Sequence, residues 1–260
     1  MRANRLAARH GLRWIGDGFV IFRASPLRQL VLNLAFFAVF SIVVALPLVG
    51  FVAVWLLLPA MMIGPHAISR QASLAARGEA PGWNLLFAGF REGFPAQLRL
   101  GGVYLAAMLL VIACTIPVDG GRFAQAMAGQ IALDHSDMES PALLRAIFVG
   151  AVLQTAALGA LWYAPLLVAW DRLPVSKAVF FSAAAAFINW GAFLVYGIAI
   201  TVLFSFVLLL AFGAALLAGG VGPAQANTAL IASIWTLLPV WFASSYLSYR
   251  DVFGAEQAPS

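Results

Sequence analysis

Six long apolar runs punctuate this chain, and they fall into three pairs. They cover residues 30–49, 51–68, 100–117, 147–170, 190–217 and 228–247. Most come close to the ~20 residues that cross a hydrocarbon core of ~30 Å. None alternates apolar and polar positions as barrel strands do, so the runs predict helices. The second run of each pair carries a proline. Trp55-Leu-Leu-Leu-Pro59 and Trp235-Thr-Leu-Leu-Pro239 share the spacing Trp-x-x-Leu-Pro, and Leu161-Trp162-Tyr163-Ala164-Pro165 is a looser third copy. The predicted fold class is an all-α polytopic membrane protein: six transmembrane helices arranged as three hairpins.

A short amphipathic stretch precedes each hairpin. In the first, Leu12, Ile15, Phe19 and Phe22 recur at helical spacing beside an i, i+4 row of Arg5, Arg9 and Arg13. In the second, Phe87, Phe90 and Phe94 share a face, with Arg91 and Glu92 beside it. In the third, Phe180, Ala184 and Phe187 share a face ahead of Asn189 and Trp190. Phe19-x-x-Phe22-Arg23 and Phe87-x-x-Phe90-Arg91 match closely, with Pro26 and Pro95 nearby. Such helices lie in the membrane interface with the apolar side down. The repeat unit is then an interfacial helix, a span, an outer turn and a span with a proline near its inner end.

Composition removes the soluble alternatives. Of the 260 residues, 63% are hydrophobic and 10% charged, with a mean hydropathy of +0.95. A soluble domain carries about 25% charged residues. The placement of charge sets an orientation. One face holds Arg2, Arg5, Arg9, Arg13, Arg23, Arg28, Arg70, Arg77, Arg91, Arg99, Arg172, Lys177 and Arg250; the other holds only Arg122 and Arg145. The excess of cations on one side places both termini in the cytoplasm. The connections Pro47–Gly50 and 219–227 carry no charge, while 118–146 carries Asp119, Asp134, Asp137 and Glu139. No cleavable signal is read at the N-terminus, so the first span is expected to be a retained anchor. The expected organisation is a basic amphipathic segment over 1–29, the membrane domain over 30–247 and a cytoplasmic tail over 248–260.

Candidate chemistry is sparse. No Asp, Glu, Lys or Arg occupies the middle of a span, which argues against a proton relay. Asn33, Ser41, Gln154, Thr155, Asn189, Ser205 and Ser233 are read as ties between helices. Gly191, Gly197 and Gly213 are read as points of close helix approach. His66 follows Pro65 at an inner end and is read as structural. The lone Cys114 is read as a small core residue and permits no intrachain disulfide. Asp134-His135-Ser136-Asp137-x-Glu139 clusters metal-ligand types but lacks an ordered spacing such as His-Glu-x-x-His. No metal, cofactor or catalytic residue is assigned. Pro59, Pro165 and Pro239 each remove a backbone hydrogen bond and should kink a span. At similar depths, three kinks would frame a hollow or serve packing.

Several segments also carry a family resemblance. They are Gly18-Phe-x-x-Phe-Arg-x-x-Pro-Leu27, Leu86-Phe-x-Gly-Phe-Arg91, Tyr163-Ala-Pro-x-Leu-Val-Ala-Trp170 and Asn189-Trp-x-Ala-Phe-Leu-Val-Tyr-Gly197. Across roughly residues 10–250 the chain resembles an uncharacterised family of multi-span proteobacterial inner-membrane proteins. More loosely, the layout resembles the membrane domain attached to some glycerophosphodiester phosphodiesterases, without the phosphodiesterase domain. The resemblance implies location in the inner membrane and brings no activity.

The functional expectation is a non-enzymatic integral membrane protein. Arg5, Arg9, Arg13, Arg23 and Arg91 are expected to face anionic lipid or a membrane protein partner. No nucleic-acid partner is expected, because these charges lie against the membrane. The alternative is a transporter or channel for a small or amphiphilic solute.

Overall fold

The computed structural model describes residues 2–45, 50–74, 81–91, 93–134, 137, 139–217 and 222–254. Among these the chain is helical, with no strand. Six helical segments are long and apolar enough to cross a membrane, so the chain is an all-α polytopic protein. The spans are α2 (Pro26–Val44), α3 (Gly50–Ser73), α5 (Phe94–Asp119), α7 (Pro141–Ala160) continued by α8 (Ala164–Ala169), α10 (Trp190–Leu217) and α11 (Pro223–Phe253). Most extend several residues beyond the apolar runs. Cap and interface residues are too polar to read as span, yet they continue the helix. Thus α11 runs past residue 247 to Phe253. The direct turn between α2 and α3, part of the turn before α11, Arg77, Glu92, His135, Ser136 and residues 255–260 lie outside the described residues.

Each hairpin is preceded by the shorter helical stretch that the sequence predicts. These are α1 (His10–Ala24), a 3-10 turn at Trp83–Phe87 leading into α4 (Ala88–Arg91), and α9 (Val175–Ile188). Each packs against the proline-bearing span of the repeat before it in a cyclic order. α1 lies on α11, the 3-10 turn and α4 lie on α3, and α9 lies on α7 and α8. Glycine permits two of these approaches. A Cβ on Gly89 would collide with the Ala60 carbonyl, and one on Gly18 would meet the Val240 carbonyl oxygen at 3.0 Å. Ala60 and Val240 each directly follow the motif proline.

The structure corrects the reading of α1. Its buried face is Gly11, Trp14, Gly18 and Ile21, docked on α10 and α11, so this face packs on protein. The helix begins at His10, which leaves Arg5 in the non-helical N-terminal segment and Arg9 at the cap. The three arginines therefore do not form one helical row. That N-terminal segment is clipped down by backbone and amide bonds: Asn4 N donates to Val252 O at 2.9 Å, and Leu6 N donates to Asn189 Oδ1 at 2.8 Å.

α11 is the hub, contributing to all three clusters of buried apolar side chains. Val252 and Phe253 join the α5, α8 and α9 cluster. Ala243, Tyr246 and Leu247 join that of α1 and α10, while Leu238 and Phe242 join that of α2 and α3. By contrast, the length of α10 exposes Leu194, Ile198, Val202, Phe206, Leu209 and Leu217. In a lipid solvent such a surface costs nothing.

Candidate functional site

The C-terminal ends of α3, α8 and α11 converge on a cleft of about 290 Å³. Each repeat supplies one arginine to it: Arg70 from the last turn of α3, Arg172 from the loop after α8, and Arg250 from the last turn of α11. All three are exposed. Trp170, Tyr246, Tyr249 and Phe253 form much of the remaining wall. The Arg70 guanidinium sits 5.2 Å from the centre of the Trp170 ring, a cation–π contact that restrains a long side chain. Arg172 has φ +52°, a left-handed backbone that a side chain adopts only at a cost. Among the described residues Asp171 is the one acid in the lining, and it accepts the Tyr249 hydroxyl. Burial pushes the Asp171 carboxyl pKa up, while the Tyr249 bond opposes this. Arg250 reaches Asp251 at 3.3 Å, and Asp251 also accepts the Trp14 indole N–H at 3.0 Å. Among the described residues, neither Arg70 nor Arg172 has an ion-pair partner.

Sequence reading counted these three arginines toward topology and missed their convergence. A signal was present: Arg70 and Arg250 each stand eleven positions after the motif proline, Pro59 and Pro239. Arg172 stands seven after Pro165, the register of His66 and Tyr246 in the other repeats, so spacing alone places only two of the three.

The predicted kink prolines are all buried but do not line the cleft. α3 and α11 continue as helix through Pro59 and Pro239. Only the third copy breaks, at Leu161–Tyr163 between α7 and α8. The broken backbone there is satisfied by neighbouring helices. The Leu161 carbonyl lies four residues before Pro165 and cannot receive the missing N–H. It accepts Ala164 N–H at 3.1 Å and Tyr104 Oη–H at 2.8 Å instead. The Pro165 carbonyl accepts Gln97 Nε2–H at 2.9 Å, and Tyr163 N–H donates to Ser182 Oγ at 3.0 Å. Those carbonyls are part of the packing.

Two other groups of predicted residues do different work from that expected. Asn33, Thr155 and Ser233 donate to carbonyls four residues back in their own helices, at 2.8, 2.8 and 2.7 Å. The ties between segments come from Gln97, Tyr104, Ser182, Asn189, the His66 Nε2–Ser245 Oγ pair at 3.0 Å and the Tyr196 Oη–Ser244 Oγ pair at 2.8 Å. Gln29, Gln97 and Asn189, at 0%, 0% and 1% exposure, put a buried amide at the bend of each repeat. Gly197 and Gly213 meet nothing within 4 Å, whereas Gly11, Gly64 and Gly101 do sit against backbone. Cys114 is exposed and so is not core.

Of the residues expected to face lipid, Arg5, Arg9, Arg13, Arg23 and Arg91 are all exposed. Arg13 shares its charge with Asp17 at 3.4 Å. At the other end Asp137 is engaged by Arg122 and by Asp134 N–H, which together hold its carboxyl pKa down. No metal-holding cluster occurs among the described residues.

No family model matches the chain, and no solved structure matches it. It is 31% identical to a Burkholderia thailandensis protein named "Probable inner membrane protein", over 99% of this chain and 96% of that one. With six apolar helices and a likeness that runs end to end, the chain belongs to the same family of multi-span inner-membrane proteins as that Burkholderia protein.

Proposed function

We propose that the chain is a non-enzymatic inner-membrane protein whose basic end lies in the cytoplasmic leaflet and engages anionic lipid headgroups. One observation carries this reading. In or beside the short helix that opens each repeat an exposed cation stands within four residues of an exposed large apolar side chain. The pairs are Arg23 with Leu27, Arg91 with Phe87, and Lys177 with Phe180. An apolar anchor beside a cation suits the boundary between acyl chains and acidic headgroups. Arg23 and Arg91 lie in the last turns of their short helices, and Lys177 lies in the first turn of its own. Each cation near an acidic surface contributes about 1 kcal/mol.

Native mass spectrometry of the full chain from nanodiscs mixing phosphatidylglycerol with phosphatidylcholine tests this directly. Phosphatidylglycerol should be enriched among retained lipids. In an Arg23→Gln, Arg91→Gln, Lys177→Gln variant, retention per site should fall about fivefold. Retention that mirrors the bulk mixture in the unaltered chain contradicts the proposal.

A further inference from the structure

Surface anchoring leaves the cleft between α3, α8 and α11 unexplained. Three arginines from three repeats line one small volume, and like charges repel when gathered without a counter-ion. Among the described residues the lining offers only Asp171 in return. Asp251 draws on Arg250 from outside the lining. The arrangement is also restrained: Trp170 underlies Arg70, and residue 172 holds an arginine on a backbone that favours glycine. Backbone strain of this kind clusters at ligand sites.

We propose that this cleft binds a phosphate monoester dianion through Arg70, Arg172 and Arg250. Guanidinium forks match phosphate oxygens in pairs. Three cations against one lining carboxylate leave an excess that suits a dianion better than a singly charged diester. A volume of about 290 Å³ lies at the small end of ligand pockets, which favours a phosphate bearing a compact substituent. The mouth opens at the basic end of the bundle, where both a soluble phosphate ester and the headgroup of a monoester lipid carry the same chemistry. This site stands apart from the three surface pairs, so it does not depend on the reading above.

The test is thermal unfolding of the purified full chain in detergent at constant ionic strength. Inorganic phosphate, glycerol 3-phosphate and phosphatidic acid are titrated separately, with phosphatidylglycerol as the diester comparison. At least one monoester or phosphate probe should raise the unfolding temperature well beyond phosphatidylglycerol. Arg172→Gly should weaken its affinity by about tenfold to a hundredfold, and Arg70→Gln should act in the same direction. Arg145→Gln, at the far end of the bundle, should leave affinity unchanged. Stabilisation by the soluble probes assigns a soluble source, and stabilisation by phosphatidic acid alone assigns a lipid headgroup. The site is overturned if none of the three probes stabilises the chain more than phosphatidylglycerol. It is equally overturned if the stabilisation survives both Arg172→Gly and Arg70→Gln. Phosphatidylglycerol retention through the surface pairs should persist in Arg172→Gly, so either proposal can fail alone.

Discussion

Glycine would suit the backbone of residue 172 as well as the arginine that occupies it. The left-handed conformation costs a side chain about 1 kcal/mol or somewhat more, while glycine adds about 0.5–1 kcal/mol of unfolded-chain entropy. The two nearly cancel. Arg172→Gly should therefore melt within a few degrees of the unaltered chain in the absence of phosphate, as circular dichroism in detergent would show. Asp171→Asn keeps an acceptor for Tyr249 and removes the lining's negative charge, so it should tighten phosphate binding in the same titration. Glycines on the packed faces behave oppositely. Gly89→Ala drives a methyl into the Ala60 carbonyl and should cost about 1–3 kcal/mol. Gly16→Ala, with nothing within 4 Å, should stabilise α1 by about 0.5–1 kcal/mol. Residue-level reading of the sequence found the surface cations but placed the close approaches on α10, at Gly191, Gly197 and Gly213, of which only Gly191 has a neighbour, the Ala8 side chain at 3.7 Å. Which glycine meets a neighbour depends on how helices cross, and composition does not carry that.

The helices themselves were legible because each needs only local information: a long apolar run and a boundary of charge or proline. The fifth span begins at Trp190, where its run begins, and is helical throughout the described residues up to Leu217. The break between α7 and α8 was not legible as a break, because its partners sit on α5 and α9. Pro59 and Pro239 lie inside continuous helices, while Pro165 follows a turn whose backbone is bonded to Tyr104, Gln97 and Ser182. Tyr104→Phe removes one of the two donors to the buried Leu161 carbonyl, leaving Ala164 N–H, and should cost about 0.5–1.5 kcal/mol. Pro165→Ala restores an N–H that can reach that carbonyl four residues back. In a double-mutant cycle read by thermal unfolding, it should lessen the cost of Tyr104→Phe. Additive effects would mean that the tyrosine bond and the proline are unrelated.

At the scale of the molecule, three copies of one unit close around α11. Each short helix rests on the preceding repeat, and the C-terminal ends of the proline-bearing spans gather the arginines. Sequence predicted the units and the count of spans. It did not predict the cleft, because convergence is a property of the closed ring rather than of any repeat. The orientation of that ring decides whether the cations meet the acidic cytoplasmic leaflet or the periplasm. Cysteine accessibility in intact cells settles it most directly, on a Cys114→Ala background. Ser176→Cys reports the basic end and Gln130→Cys the opposite end, both at exposed positions. A membrane-impermeant maleimide should label Gln130→Cys in intact cells and label Ser176→Cys only once the inner membrane is opened. Labelling of Ser176→Cys in intact cells, with Gln130→Cys protected, would contradict the account.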